Sequence, residues 1–191
     1  MNALLDTLTV WATTRAAGMT SYLLLFFSTA AGIMMSLKML NGRAKSILLT
    51  VHQSSGWFGL LFGMVHGTVL LFDQYVGYPA AELLIPFASH SHRWLNGIGT
   101  LSLYAMLILV ASSDLMKKLG RKVWRTIHFF AFPAYFMALV HGFMLGSDSH
   151  YSWARLMYFS TGCLIVLFTA FRIAAVKFEH SAASGKAKNL S

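Results

Sequence analysis

The chain has 191 residues, of which 57% are apolar and 11% charged, whereas ordinary soluble domains are about 45–50% apolar and about 25% charged. This balance excludes a soluble globular domain and predicts an integral membrane protein. Fifteen Lys and Arg residues against six Asp and Glu residues give a net charge of +9. The positions of these charges, described below, indicate membrane topology rather than nucleic-acid binding. The single cysteine, Cys163, excludes an internal disulfide.

Five apolar runs are long enough to cross about 30 Å of hydrocarbon. In chain order they are residues 16–37, 46–72, 94–113, 123–145 and 153–176. We therefore expect an all-α fold, an integral membrane bundle of about five transmembrane helices, with residues 16–176 as one membrane domain. The first run is not followed by a small-residue cleavage pattern, so we expect it to remain in the protein. We find no convincing internal repeat.

Three segments outside these runs have their own character. Residues 1–15 mix apolar and polar side chains and are expected to form a short helix lying in the membrane interface. Residues 74–93, which contain Pro79 and Pro86, are expected to be interfacial or re-entrant. Residues 177–191 are rich in Ser, Ala, Gly and Lys, so we expect a disordered cytoplasmic tail.

The positive charges alternate between the connections. They concentrate after the first run, around the third connection and in the tail, at Lys38, Arg43, Lys45, Lys117, Lys118, Arg121, Lys122, Arg125, Lys177, Lys186 and Lys188. Cytoplasmic loops carry such an excess of Lys and Arg. We therefore expect a multi-pass protein of the cell membrane, embedded in lipid, with its N-terminus outside and its C-terminus in the cytoplasm.

Four of the eight histidines lie inside predicted spans, where an ionisable residue is costly and indicates function. His52 and His66 are about 21 Å apart along the second span and within about 40° of the same face, while His128 and His141 are about 20 Å apart along the fourth. Because both spans run outward, we expect His52 to face His128 near the cytoplasm and His66 to face His141 near the outside. On an ideal helix His141 would lie about 140° from His128.

Pro133 lies between His128 and His141, and a proline kink changes both the direction of a helix and the azimuth of the residues after it. We expect a kink at Pro133 to correct the mismatch between the azimuths of His128 and His141. Two facing imidazoles at each of two depths are what two bis-histidine haems require, because neutral imidazole is a good axial ligand to iron. The core of a helix bundle is where such cofactors are held.

Alternatives stay open at this stage. The histidines would also suit interhelical hydrogen bonds, or a membrane transporter in which they form a proton or metal relay. A relay needs polar partners within the spans, and the sequence offers Gln53, Ser54 and Ser55 at one level and no mid-span carboxylate. Glycines recur along the second span and would admit either a flat macrocycle or a neighbouring helix. They are Gly56, Gly59, Gly63 and Gly67.

The spacing of these histidines resembles that of the ferric reductase-like transmembrane domain, which ferric reductases and NADPH oxidases share. His52 and His66 have 13 residues between them, and His128 and His141 have 12. Residues 15–18 and 119–128 are similar to short bacterial members, including the haem-binding membrane subunit of the methionine-sulfoxide reductase system. The resemblance covers roughly residues 15–176 and implies two b haems, ligated by the four histidines, that pass single electrons across the membrane.

The resemblance also implies partners. The printed sequence contains no GxGxxG motif and no room after residue 176 for a flavin or nicotinamide domain. We therefore expect a separate electron donor, either a cytoplasmic flavin reductase or a quinol. The acceptor would lie at the outer face and be ferric iron, a partner reductase or oxygen. The chain is then an oxidoreductase membrane subunit, and the lack of a C-x-x-C-H motif excludes covalent haem attachment.

A few further residues are candidates. Arg125 lies one turn before His128 and could pair with the propionates of the inner haem, as could Arg43, Lys45 and Lys122. The membrane topology alone also places positive charges there. His90 and His92 could bind a metal ion near the outer face, although exposed interfacial histidines usually have no such role.

Overall fold

The protein is all-helical. The computed structural model describes the backbone of residues 2–37, 40–73 and 77–188 and the side chains of residues 9–37, 40–73 and 77–178. No strand occurs among these residues. The elements in chain order are α1 (Asn2–Met35), α2 (Gly42–Leu70), α3 (Ala80–Leu84), α4 (Arg93–Asp114), α5 (Met116–Leu119), α6 (Arg121–Phe129), α7 (Ala131–Leu145), a 3-10 helix (Ser147–His150) and α8 (Ser152–Lys188).

Four helical segments within the described residues are long and apolar enough to cross a membrane. They are Thr9–Met35, Arg93–Asp114, Arg121–Leu145 and Ser152–Phe178. They correspond to the first, third, fourth and fifth of the predicted runs. The chain is therefore a multi-pass membrane protein.

The second predicted run forms α2, which is long enough to cross but is not among the four most apolar segments. His52, the polar residues that follow it and four glycines lower its mean hydropathy. It packs antiparallel along α1: Ser21 Oγ donates to the carbonyl of Gly59 at 2.7 Å, and Ser28 Oγ donates to the carbonyl of His52 at 2.9 Å. A fifth crossing by α2 stays a prediction.

The glycines of α2 serve mainly this close packing. A Cβ atom at Gly56 would lie 3.4 Å from Ser28 Oγ, and one at Gly63 would lie 3.1 Å from Ser21 Oγ, both on α1. Gly59 faces α1 at ordinary contact distance. Gly67 differs, because nothing lies within 4 Å of the position its Cβ would take. Helix packing therefore accounts for three of the four glycines.

The fourth predicted run is divided into α6 and α7. Phe130 has ψ −2°, whereas a helical residue has ψ of about −42°, and its amide donates to the carbonyl of Ile127. Pro133 explains the break, because it has no N–H and its ring would clash with the carbonyl four residues earlier, that of Phe129. The break changes the direction of α7 relative to α6. Such a change was expected, because on an ideal unbroken helix His128 and His141 would lie about 140° apart.

Both ends of the described chain are helical. Residues 2–15 form the first turns of α1, and their place in the membrane interface stays a prediction. At the other end α8 continues to Lys188, so most of the segment expected to be disordered is helical. Its Ala, Lys and Glu residues favour the helix, and extending an existing helix needs no new nucleus. Residues 189–191 lie outside the described residues.

The connection between α2 and α4 folds back along α4. Thr100 Oγ1 donates to the carbonyl of Leu83, and Tyr104 Oη donates to the carbonyl of Leu84. Tyr104 is about 16 Å along the helix from Arg93, so α3 lies beside the first three turns of α4. An interfacial or re-entrant position of this segment stays a prediction. Residues 74–76 lie outside the described residues.

Candidate haem-ligand site

Four histidines form two facing pairs. The rings of His52 and His128 have centroids 5.7 Å apart with planes inclined at 67°, and those of His66 and His141 have centroids 6.3 Å apart with planes at 82°. We call these the 52/128 pair and the 66/141 pair. Each pair joins α2 to the broken span, His128 lying on α6 and His141 on α7. The structure thus brings together the residues that the sequence paired.

These separations fit a metal between the rings. A metal–imidazole bond of about 2.0–2.1 Å, with the ring centroid about 1.1 Å beyond the nitrogen, puts two opposed rings about 6.2–6.4 Å apart. An imidazole can give a metal one nitrogen, so the remaining ligands of a metal held by one pair come from elsewhere. A haem supplies four from its macrocycle. No group of three His, Cys, Asp or Glu side chains able to hold a bare metal ion occurs among the described residues.

Three of the histidines are fixed by a backbone carbonyl of another helix. His52 Nδ1 donates to Ser28 O at 2.8 Å, and His66 Nδ1 donates to Thr14 O at 2.9 Å, both on α1; His141 Nδ1 donates to Leu95 O on α4 at 2.8 Å. A carbonyl only accepts, so Nδ1 carries the proton and Nε2 keeps its lone pair. In this tautomer Nε2 is able to bind iron. The hydrogen bond from Nδ1 to the carbonyl already orients the ring.

A glycine follows each of these carbonyls by four residues. A Cβ atom would lie 2.8 Å from the His66 ring at Gly18, 3.3 Å from the His52 ring at Gly32 and 2.5 Å from the His141 ring at Gly99. The carbonyl of residue i in a helix faces the backbone of residue i+4, so only a glycine at i+4 lets an imidazole reach it from the side. We call each such carbonyl and glycine a histidine station.

The two stations on α1 are a sequence repeat. Residues 14–18 read TRAAG and residues 28–32 read STAAG, 14 positions apart, which matches the 14 positions between His52 and His66 on the antiparallel helix α2. Sequence reasoning missed this repeat because two five-residue copies resemble the general Ala and Gly richness of membrane helices. The signal was present nonetheless, in the equality of the two spacings.

A cavity of about 380 Å³ lies at the level of the 66/141 pair. It is bounded by α1, α2, α4 and α7, and both histidines and Gly67 are part of its wall. Open space beside paired Nε2 atoms is the shape that a bulky planar cofactor requires. Of the four glycines singled out in the sequence, Gly67 therefore borders open space, whereas Gly56, Gly59 and Gly63 face α1.

An ion pair closes one side of this cavity. Arg15 Nε donates to Asp148 Oδ2 at 3.0 Å, and the guanidinium lies 4.0 Å from the centre of the Trp11 ring. Asp148 is buried, and Arg15 directly follows Thr14, whose carbonyl holds His66. Nothing in the sequence links these two residues, which are 133 positions apart, so neither was a candidate. Arg15 is the cation best placed to meet an acidic group of a cofactor in this cavity.

Between the two pairs the bundle is packed with aromatic residues. Tyr22 Oη is hydrogen-bonded to Tyr135 Oη at 3.1 Å and to Thr161 Oγ1 at 2.5 Å, and the Tyr22 and Tyr158 rings lie 4.7 Å apart. All four residues are buried, and Tyr135 has no exposed surface. Tyr135 is nearly midway along the chain between His128 and His141. The two pairs are thus separated by a closed protein core.

The predicted cationic candidates lie on the same helices as the 52/128 pair, before its two histidines in the sequence. Arg125 is exposed on α6, three residues before His128, and Arg43 and Lys122 are exposed at the same end of the bundle. None of the hydrogen bonds or ion pairs of the described side chains uses Arg125. Its guanidinium is therefore available to pair with a haem propionate. The assignment of Arg125 as a cofactor-binding residue stays a prediction.

His90 and His92 lie away from both pairs. His90 Nδ1 lies 2.6 Å from Glu82 Oε1, and this hydrogen bond holds the pKa of the Glu82 carboxyl below its usual range. His92 occupies the left-handed region at φ 46°, at the start of α4. The two residues therefore shape the loop before α4, and no metal cluster forms around them within the described part of the chain.

Comparison with known proteins gives one match. The family model described as the ferric reductase like transmembrane component matches residues 16–139, nearly two thirds of the chain. The matched range contains His52, His66 and His128 and ends two residues before His141. No curated protein and no solved structure matches the chain.

Proposed function

The chain belongs to the ferric reductase-like transmembrane family, and from this premise we propose that it is an electron-transfer subunit that carries two bis-histidine b haems. The observation that supports the proposal is the geometry of the two pairs. Both have ring separations within about 0.7 Å of that expected for two imidazoles on one metal. Haem b bound there would supply reversible one-electron chemistry.

The protein's own part is to hold and space the two centres. His52 and His128 would ligate one haem and His66 and His141 the other, each by Nε2. Along α2 the two ligands are about 21 Å apart, which covers most of the hydrocarbon thickness. Arg15 at the 66/141 pair and Arg125 at the 52/128 pair would meet the propionates, which are the charged groups of haem.

The hydrogen bonds of the histidines favour electron transfer over a proton relay. A relaying imidazole must take up a proton on one nitrogen and release it from the other. In His52, His66 and His141 the Nδ1 proton is committed to a backbone carbonyl. An imidazole held in one tautomer and one orientation suits a metal ligand better than a proton carrier.

The charge distribution supports a direction of electron flow. We propose that the 52/128 pair lies near the cytoplasm, where exposed Lys and Arg side chains of α5 and α6 cluster. Electrons would enter there from a flavin reductase or from quinol and leave at the 66/141 pair for ferric iron, a partner reductase or oxygen. Outward movement gains about 2.3 kcal/mol per 100 mV of inside-negative potential.

Absorption spectroscopy of the purified protein tests the proposal. We expect a reduced-minus-oxidised spectrum of low-spin haem b and a pyridine haemochrome stoichiometry of two per chain. NAD(P)H alone should not reduce the haem, whereas a flavin reductase with free flavin, or a quinol, should. A protein purified from haem-replete cells without bound haem would contradict the proposal.

A further inference from the structure

The four histidines are not equivalent, because His128 alone lacks a station. His128 Nδ1 is buried and has no hydrogen-bond partner among the side chains and backbone that the structure describes. The other three rings each have a carbonyl at 2.8–2.9 Å from a second helix. The support that His128 does have comes from its own helix: Trp124, one turn earlier, stacks on it at 4.9 Å.

The register of α4 explains why the station is missing. Leu95 lies opposite His141, and Ser113 Oγ accepts from Trp124 Nε1 at 3.2 Å. On the face of α4 that carries Leu95 and Gly99, the positions 14 residues later are Leu109, which is buried, and residue 113. A station at this level would need glycine at position 113, and the residue present is Ser113. Its Oγ donates to the carbonyl of Leu109 at 2.8 Å, so that carbonyl is already used.

The helix that carries His128 is also weakly held. α6 has nine residues, none of them buried, and it ends one residue after His128 at the Phe130 break. His52, by contrast, lies in the 29-residue helix α2 and packs against Gly32. Withdrawal of the His128 ring therefore disturbs few contacts, whereas withdrawal of His52 would break its bond to Ser28.

We propose that the 52/128 haem site is open to exchange, with His128 as the ligand that leaves and a small uncharged diatomic molecule as the ligand that enters. This inference rests on the proposed function, since it needs haem at both pairs. The exchange breaks the bond from iron to His128 Nε2 and forms one to the incoming molecule, with no change in oxidation state. The 66/141 site, with both rings held in stations, stays closed.

Other metal sites indicate how large the difference in ligand affinity between the two haem sites should be. Losing the hydrogen bond that orients a ligating histidine typically costs about 10–100-fold in metal affinity. An incoming ligand competes with His128, so its apparent affinity rises as the bond from His128 weakens. We expect at least a tenfold difference between the two sites.

Carbon monoxide is the probe, because it binds ferrous haem without transferring electrons. The dithionite-reduced protein in detergent should bind CO at one of its two haems, shown by a Soret shift in about half of the absorbance. The double variant His66→Ala/His141→Ala, which keeps the 52/128 haem, should half-saturate at a CO concentration at least tenfold lower than His52→Ala/His128→Ala. Equal reactivity of the two haems, or preferential reaction at the 66/141 haem, would overturn the inference.

A glycine variant provides an independent test in the di-haem protein. Gly99→Ala places a Cβ where the His141 ring now lies and should make the 66/141 haem reactive with CO as well. Gly42→Ala, at a glycine with open space around it, should leave reactivity unchanged. A 66/141 haem that keeps His141 and stays inert in Gly99→Ala would show that stations do not control exchange. Absence of haem from the wild-type protein would instead refute the proposed function.

Discussion

Arg15 and Asp148, 133 positions apart in the sequence, join the first turns of the candidate span in α1 to the 3-10 helix before α8. The pair fixes the end of α1 whose Thr14 carbonyl orients His66. Its removal should therefore affect both the stability of the protein and the haem at the 66/141 pair.

We expect Asp148→Ala to lower the free energy of unfolding by about 2–3 kcal/mol, because it leaves the partly buried Arg15 without its charged partner. Unfolding in mixed detergent, followed by haem absorbance, measures this. Asp114→Ala removes an exposed carboxylate and is the matched control. A double-mutant cycle with Arg15→Met should return a coupling energy; strictly additive effects would show that the ion pair contributes nothing.

Replacing either histidine of a pair should have the same effect on haem binding. His52→Ala and His128→Ala should each abolish the same haem component, and His66→Ala and His141→Ala the other, because each iron needs both axial ligands. Redox titration of the four variants resolves the components, and His150→Ala, an exposed histidine, should retain both. The pairing is wrong if His52→Ala and His66→Ala remove one and the same component.

The glycines of the α1 stations should be needed for haem occupancy. Gly18→Ala puts a Cβ 2.8 Å from the His66 ring and should strongly reduce the 66/141 haem, whereas Gly32→Ala, at 3.3 Å from His52, should reduce the 52/128 haem less. Haem content per chain measures both effects. An unchanged 66/141 haem in Gly18→Ala would mean that His66 ligates in another position.

The inclination of the rings predicts a magnetic signature. Imidazole planes at 67° and 82° are closer to perpendicular than to parallel, and perpendicular axial ligands leave ferric iron in a nearly axial field. We expect highly anisotropic low-spin signals in the electron paramagnetic resonance spectrum of the oxidised protein. A rhombic spectrum typical of parallel imidazoles would contradict the observed ring geometry.

Membrane orientation is tested by cysteine labelling, in a background with Cys163 replaced. A membrane-impermeant reagent should label His150→Cys in intact cells and should label Ser184→Cys only after permeabilisation. The reverse pattern would invert both the topology and the proposed direction of electron flow.

Sequence periodicity was sufficient to pair the histidines but not to find what holds them. The nearly equal spacings of His52–His66 and His128–His141 predicted the two levels, and Pro133 predicted the break that aligns them. The residues that orient the histidines act through their backbone carbonyls, which every residue possesses, so the identities of Thr14, Ser28 and Leu95 carry no signal. Only the glycine that follows each carbonyl by four residues can be recognised in the sequence. Arg15 and Asp148 were missed because their contact depends on how distant segments pack.

The buried hydroxyl groups between the two pairs have a consequence for the membrane as a barrier. A conduit for electrons is useful only if it does not also short-circuit the ion gradients of the cell. Tyr22, Tyr135 and Thr161 satisfy one another's hydrogen bonds, and apolar residues such as Leu60 and Ile165 surround them. A hydrated ion would have to break these bonds and enter without replacing its own solvation, at a cost of several kcal/mol or more. The same packing that separates the two centres thus insulates the membrane against ionic leak.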